Sequence, residues 1–178
     1  KLLKGNELFG RAMGRAKLFK IAKEHKPSAM AVTCSDARLS PELIFRAQLG
    51  EIFVVRNAGN IIVEPCTIGS IEYAIEKLGI KLIVILGHYG CGAIETLFGP
   101  PPSDYISIIV QYLQYAKTMA EMANVPDKKK ATVVENVKYQ INELKNRSIL
   151  VTKQIQAQRL TIVGAVYNME EGTIEILK

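Results

Sequence analysis

The sequence predicts an α/β fold in which a mostly parallel β-sheet is flanked by helices and ends in a C-terminal edge strand. Short apolar runs alternate with longer stretches in which apolar residues recur at helical spacing. Residues 81 to 87 form a continuous apolar run of the kind that is buried in a parallel sheet. A later run, 160 to 167, turns through Glu170-Glu171-Gly172 into 173 to 177, which is typical of a final edge strand.

Caps and chain breakers set the bounds of the predicted elements. Ser40-Pro41-Glu42 supplies an N-cap, a first-turn proline and a first-turn acid, and Gly79 ends a later helix. The predicted strands are 29 to 33, 51 to 56, 81 to 87, 160 to 167 and 173 to 177. The predicted helices are 7 to 24, one that begins after Ser40, 67 to 78, 91 to 98, 103 to 123, 130 to 146 and 147 to 158.

The bulk composition predicts a single domain over 1 to 178, with 1 to 25 as an N-terminal helical arm. The chain has 178 residues, 48% of them hydrophobic, which is enough for one core. The formal net charge is +6, but the basic residues are dispersed with few aromatic residues among them, so we expect no nucleic-acid partner. The apolar runs are too short for a membrane span. Three cysteines make no disulfide framework, so we expect a reducing compartment, the cytoplasm.

Three potential metal ligands lie at the ends of two predicted strands. Cys34 ends one strand, and His88 ends another, three residues before Cys91. Because the carboxyl ends of parallel strands meet at one edge of a sheet, we expect these side chains to lie close together. Two thiolates and an imidazole are ligands that Zn²⁺ prefers. A fourth position left open to water is typical of catalytic zinc sites.

An acid and a fixed cation accompany the first ligand. Asp36 and Arg38 follow Cys34 closely, and a guanidinium can hold a carboxylate in a bidentate fork. We therefore expect Arg38 to keep Asp36 ionised and turned away from the metal. In that position Asp36 would accept a hydrogen bond from zinc-bound water or hydroxide.

Five segments of the chain resemble the β-class carbonic anhydrases. They are CSDARLSPE at 34 to 42, VVRNAGN at 54 to 60, IGSIEYA at 68 to 74, GHYGCGA at 87 to 93 and IVGAVYNMEEGTIEIL at 162 to 177. They occur in family order over most of the chain, and the opening KLLKGNELF is similar to the first helix of the family. The resemblance implies the fold of this family, a homodimer or tetramer, and the reversible hydration of carbon dioxide to bicarbonate and a proton.

The resemblance also implies roles for individual residues. It implies one zinc ion per subunit on Cys34, His88 and Cys91, whose bound hydroxide attacks carbon dioxide. It implies that Asp36 and Arg38 act as a catalytic dyad.

Four further positions match the substrate cleft of the family. Phe53 and Tyr73 match residues that line the cleft from the partner subunit, and Gly92 matches a glycine whose backbone approaches the substrate. His25 stands where many plant-type members have a glutamine that hydrogen-bonds the substrate. Either its imidazole contacts substrate or relays protons, or it is an exposed helix end. For Phe53 and Tyr73 the alternative is ordinary packing.

Three other positions are interpreted structurally or left open. Arg56 and Asn57 either support the site from the next strand end or bind backbone carbonyl groups. Cys66 has no ligand pattern around it, so we expect it to be structural and unligated.

Two other functions fit the same residues. A hydrolase for carbon disulfide or carbonyl sulfide would use the same nucleophile on another linear triatomic substrate. A zinc-binding regulatory protein would bind the metal without turnover, although an intact Asp36 and Arg38 argue against this function.

Overall fold

The computed structural model describes residues 1 to 178 and contains one five-stranded sheet. Its strands are β1 (Ala29–Cys34), β2 (Ile52–Asn57), β3 (Leu82–His88), β4 (Thr161–Asn168) and β5 (Thr173–Ile176). The spatial order is β2-β1-β3-β4-β5, and only β5 runs antiparallel to its neighbour. The predicted fold class, with its antiparallel strand at the C-terminal edge, is confirmed.

The chain forms eight helices. They are α1 (Leu2–Met13), α2 (Arg15–Lys23), α3 (Pro41–Ile44), α4 (Pro65–Leu78), α5 (Gly92–Thr96), α6 (Asp104–Met122), α7 (Lys128–Arg147) and α8 (Ile149–Gln156), with a 3₁₀ turn at Ala58–Asn60. The prediction of one continuous helix from 7 to 24 was wrong. Gly14 adopts φ 74° and ψ 146° and separates α1 from α2, a conformation that glycine adopts without steric cost.

The strand register brings the predicted ligands to one edge of the sheet. Cys34 lies opposite Asn57 of β2, and His88 lies opposite Tyr167 of β4. Because β1 and β3 are adjacent and parallel, their carboxyl ends meet there.

Helix α7 approaches the sheet closely over two glycines. A Cβ atom on Gly87 would lie 2.7 Å from Val137 Cγ2, and one on Gly164 would lie 2.9 Å from Ile141 Cδ1. Real Cβ atoms do not approach other carbons this closely, so a larger residue at either position would displace the α7 side chains that pack on it. The helix backbone consequently lies near the strand end that carries His88.

Helices α1 and α2 form an arm without buried residues. Its apolar side chains face solvent, with Leu2 90%, Leu3 82% and Phe19 63% exposed. Residues 1 to 26, which are the arm and the Lys26 that follows it, carry eight basic and two acidic side chains, so this segment accounts for the formal net charge of +6 and residues 27 to 178 are neutral overall. Every helix of the chain is too short or too polar to cross a bilayer.

Candidate metal centre

The fold gathers Cys34, His88 and Cys91 into one buried cluster. Their ligand atoms all lie within 4.8 Å of one another, and the two sulfur atoms are 3.8 Å apart. Strand β1 ends with Cys34 and β3 with His88, while Cys91 directly precedes α5. The three residues are at most 5% exposed, so the cluster is shielded from solvent.

The ring of His88 has a defined orientation. Its Nδ1 lies 3.0 Å from the carbonyl oxygen of Tyr89. Since a carbonyl oxygen only accepts hydrogen bonds, Nδ1 carries the proton and Nε2 keeps its lone pair. The Nε2 atom is buried without a hydrogen-bond partner, one of two such side-chain atoms in the chain. The nitrogen that faces the two sulfur atoms is therefore the one able to bind a metal.

The two thiols share one proton. A hydrogen bond from Cys91, with a further contribution from His88, lowers the pKa of Cys34 to about 4. The hydrogen bond to Cys34, together with burial, raises the pKa of Cys91. The pair thus carries one negative charge at neutral pH, which attracts a cation into the cluster.

This donor set fits zinc. Two soft sulfur ligands and one imidazole are a common combination for Zn²⁺, and the unpartnered Nε2 of His88 supplies the lone pair that such a site needs. With three protein ligands, a tetrahedral ion keeps one position for water or substrate.

The Asp36 carboxylate is held by Arg38. Oδ1 accepts hydrogen bonds from the Arg38 backbone N–H at 3.0 Å and from Nε at 2.9 Å, and Oδ2 accepts one from Nη2 at 2.7 Å. The side-chain hydrogen bonds from Arg38 hold the pKa of Asp36 well below its usual range. Nη2 also donates to the Gly90 carbonyl at 3.2 Å, which links the loops on either side of the cluster.

Two residues at the end of β2 support these loops through backbone groups. Arg56 Nε donates to the Cys34 carbonyl at 3.2 Å, and its Nη2 donates to the Asp36 carbonyl at 2.8 Å. The side-chain amide of Asn57 donates to the Ile61 carbonyl at 2.6 Å and accepts from the Ile61 N–H at 2.7 Å. Arg56 and Asn57 therefore bind backbone groups and in this way support the site. Cys66 is an exposed free cysteine away from the cluster.

Gly92 follows Cys91 as the first residue of α5 and is exposed. A Cβ atom added to it would meet no heavy atom within 4 Å. The backbone beside Cys91 is therefore open to a small molecule.

The other three predicted cleft residues form an aromatic row at the β2 edge. The ring centroids of His25 and Phe53 are 6.2 Å apart, and those of Phe53 and Tyr73 are 6.3 Å apart. Phe53 pairs with Met30, four residues before Cys34 along β1, a separation of about 13 Å at the usual rise of a strand. The structure thus brings the three residues together, but apart from the metal ligands of their own chain.

Sequence reasoning missed two buried amide side chains on α7. Asn136 is 1% exposed and Gln140 is 0% exposed. Both contact the turn after β2, because the Ile62 N–H donates to Gln140 Oε1 at 2.8 Å and Asn136 Nδ2 donates to the Gly59 carbonyl at 2.9 Å. The only sequence signal is that each immediately precedes an apolar position, next to Val137 and Ile141, so that both lie at the border of the apolar face.

Comparisons with known proteins show the family of this chain. Residues 29 to 174 match the family described as carbonic anhydrase. A carbonic anhydrase of Pseudomonas aeruginosa is 34% identical over 175 residues, which span 92% of this chain and 79% of the relative.

Solved structures extend the likeness to the fold. The β-carbonic anhydrase CcaA superposes with a TM-score of 0.87 at 25% identity, over 99% of this chain and 93% of CcaA. One of two tetrameric β-carbonic anhydrases from the fungus Sordaria macrospora has the same fold, with a TM-score of 0.87 at 23% identity, over 99% and 94% of the two chains. With a family match over residues 29 to 174 and a shared fold, this chain belongs to the β-class carbonic anhydrase family.

Proposed function

We propose that the protein is a zinc-dependent carbonic anhydrase that converts carbon dioxide and water reversibly into bicarbonate and a proton. The observation that carries this function is the buried cluster of Cys34, His88 and Cys91 beside the fork of Asp36 and Arg38. These three ligands would hold zinc. The bound ion supplies a Lewis acid that lowers the pKa of water in its open position.

Asp36 and Arg38 form the proposed catalytic dyad. Oδ1 of Asp36 accepts two hydrogen bonds from Arg38, whereas Oδ2 accepts one and keeps a free lone pair. Through this lone pair Asp36 accepts a hydrogen bond from the reacting water and orients its oxygen toward the carbon of carbon dioxide. As the new C–O bond forms, one C=O π pair moves onto oxygen, which yields bicarbonate, and the water proton passes to solvent.

Gly92 and the aromatic row are the proposed substrate contacts. The open space above Gly92 lets substrate approach the backbone beside Cys91. Phe53 lies about 13 Å along the strands from the level of Cys34. His25 and Tyr73 flank its ring, so we assign all three residues to the cleft of a second copy. The chain contains two histidines, and since His88 is the proposed metal ligand, His25 is the remaining imidazole available for proton transfer.

We also propose a homodimer, or a tetramer built from it. The arm exposes Leu2, Leu3 and Phe19 and needs an apolar partner surface. A largely apolar groove of about 290 Å³ lies at the amino ends of β1, β2 and β3, opposite the metal ligands, and offers such a surface.

The core and arm are proposed to form a single domain over 1 to 178. Since thiol ligands must stay reduced, we propose the cytoplasm as compartment, which imaging of the tagged full-length protein would test.

The experiment combines metal analysis with rapid kinetics. Purified protein should contain about one zinc per chain and hydrate carbon dioxide in a stopped-flow assay with a pH indicator. Cys34→Ser and Cys91→Ser should each lose the metal and the activity, while Cys66→Ser serves as the matched control and should retain both. Full zinc retention in both ligand variants would refute the metal assignment. Consumption of carbon disulfide without carbon dioxide hydration would assign the site to the sulfur substrate instead.

A further inference from the structure

Helix α6 carries a row of large apolar side chains beside the face that it buries in the core. The buried face consists of Leu113, Ala116 and Ala120. The second row follows the helix at alternating spacings of three and four residues, so its members are neighbours on the helix surface. This row, the α6 stripe, comprises Tyr105, Ile108, Tyr112, Tyr115, Met119 and Met122.

Much of the α6 stripe faces solvent. Its exposed fractions are 84% at Tyr105, 76% at Met122, 52% at Tyr115 and 38% at Ile108, and its other two members are half-buried. From end to end the stripe spans about 26 Å at the usual rise of a helix. A contiguous apolar surface of this kind is typical of an interaction site, whereas single exposed apolar residues are not.

The α6 stripe lies in a part of the helix without charge. Residues 105 to 116 contain no Asp, Glu, Lys or Arg, although 22% of the chain is charged. An acidic or basic partner would therefore find no complementary group along this segment. Two copies of one surface always carry equal charges, so an uncharged surface can pair with itself without electrostatic repulsion. This distribution favours a second copy of the chain as the partner.

The spacing of the α6 stripe is the same in both directions along the helix. Its steps are three, four, three, four and three residues. When two copies of α6 lie antiparallel about a two-fold axis between positions 113 and 114, every member therefore meets another member. The resulting pairs across the contact are Tyr105 with Met122, Ile108 with Met119, and Tyr112 with Tyr115. A two-fold contact requires such a self-complementary surface, and alternating steps of three and four form the apolar seam between paired helices.

The side chains in these pairs suit one another. At each end a methionine thioether meets a tyrosine ring, and two tyrosine rings meet on either side of the axis, which are both favourable contacts. Tyr115 is already held in place, because its ring centroid lies 4.7 Å from that of Tyr139 on α7. A side chain held in this way loses little conformational entropy on association.

A single contact between two α6 stripes is smaller than a stable complex requires. The exposed parts of the stripe amount to roughly 500 Å² per chain, whereas each partner in a stable complex buries about 800 Å². A dimer carries two stripes, so two dimers can form two such contacts at once, and the second forms at high effective concentration. The stripe therefore suits the joining of two dimers better than the joining of two single chains.

We propose that the α6 stripe is the surface through which two dimers of this chain assemble into a tetramer, with the α6 helices of facing subunits antiparallel. The inference rests on the proposed homodimer. It is independent of the reaction that the metal site catalyses.

Sedimentation velocity of the full chain tests this assembly. The unmodified protein is expected to sediment as a tetramer. Tyr105→Glu combined with Met122→Glu should sediment as a dimer, because the contact would bury unpaired charges. Ile106→Glu is the matched control, since Ile106 is 53% exposed on the same helix but lies off the stripe, and this variant should remain tetrameric.

Three results of this measurement would overturn the proposal. They are an unmodified protein that sediments as a dimer, a double glutamate variant that stays tetrameric, and a double glutamate variant that becomes monomeric, which would place the stripe within the dimer itself. Particle size is measured whether or not the protein hydrates carbon dioxide, so a failure of the proposed reaction is distinguished from a failure of this inference.

Disulfide cross-linking tests the orientation of the helices without introducing charge. In a Cys66→Ser background, which removes the exposed native thiol, Tyr105→Cys combined with Met122→Cys should join two copies when oxidised by copper phenanthroline and oxygen. The two positions are about 26 Å apart within one chain, so a disulfide between them can join only different copies. Tyr105→Cys alone should not cross-link. Self-linking of that single variant, or no cross-link in the double variant, would refute the antiparallel contact.

Discussion

His88 Nδ1 donates to the carbonyl oxygen of Tyr89 at 3.0 Å, and this contact fixes which ring nitrogen faces the thiols. The carbonyl is itself fixed, because the Tyr89 N–H donates to the Tyr167 carbonyl at 3.1 Å and its hydroxyl donates to Glu175 Oε2, also at 3.1 Å. The antiparallel strand β5 thereby contributes to ligand orientation. An imidazole presented with a free Nε2 needs no proton loss to bind metal, so the thiols account for the protons released on binding.

Zinc binding to the metal-free protein should release about one proton from the thiol pair. Cys34 is already a thiolate at neutral pH because Cys91 and His88 lower its pKa to about 4, whereas hydrogen bonding to Cys34 and burial raise the pKa of Cys91. Calorimetry in buffers of different ionisation enthalpy measures the number of protons. Release of two protons by the pair would show that both sulfurs are protonated in the metal-free protein and would refute the shared proton.

Arg38→Ala should retain zinc but lose hydration activity by about 100-fold or more. The ligands are untouched, but Asp36 loses the side-chain donors that orient both of its oxygens. We expect the freed carboxylate to take the open position on zinc, which a crystal structure of the variant would show. If the variant instead keeps near wild-type turnover, with water in the open position on zinc, Arg38 has only a structural role.

Two companion variants separate the carboxylate from the guanidinium. Asp36→Ala combined with Arg38→Ala should reopen the metal position to water without restoring normal activity. Arg38→Lys keeps the charge but lacks the planar fork, so it should recover little of the lost turnover.

His25→Gln should lower kcat in dilute buffer while leaving kcat/KM nearly unchanged. Proton transfer limits kcat when few external acceptors are present, and this variant removes the only imidazole outside the metal cluster. Adding imidazole to the buffer should restore turnover. Equal kcat values for the variant and the parent in dilute buffer would mean that His25 is an exposed residue at a helix end with no role in proton transfer.

Leu3→Glu combined with Phe19→Glu should convert the oligomer into monomers with reduced activity at low concentration. Both side chains are exposed on the arm, and a charge there would oppose burial against a second copy. Sedimentation velocity measures the change. Ile149→Glu, at a 73% exposed apolar position on α8, is the control and should leave assembly unchanged. A fully active monomer of the unmodified chain would refute the requirement for a second copy.

The sequence was sufficient to predict the sheet and the metal cluster because both depend on local patterns. Apolar runs of strand length end at Cys34 and His88, and parallel pairing alone brings such ends together. The proline at position 41 and Gly79 also set helix bounds by local sterics.

Other features depend on contacts that local patterns do not encode. The break at Gly14 was missed because a single glycine is also tolerated within a helix. The pairing of Gln140 with Ile62 joins residues 78 positions apart, so spacing along α7 gives no hint of it. The distance of Phe53 from its own metal ligands likewise emerges only from the strand register.

Because positive charge is concentrated at one end of the chain, capture of bicarbonate and capture of carbon dioxide should respond differently to salt. The arm together with Lys26 carries the whole formal excess of +6, and the remaining residues are neutral overall. If the arm crosses onto a second copy, it places a positive potential over that subunit. Carbon dioxide is uncharged and does not respond to such a field, whereas bicarbonate is concentrated by it. Dissolved salt screens this attraction beyond about 8 to 10 Å at physiological ionic strength, so rising ionic strength slows bicarbonate capture and leaves carbon dioxide capture unchanged.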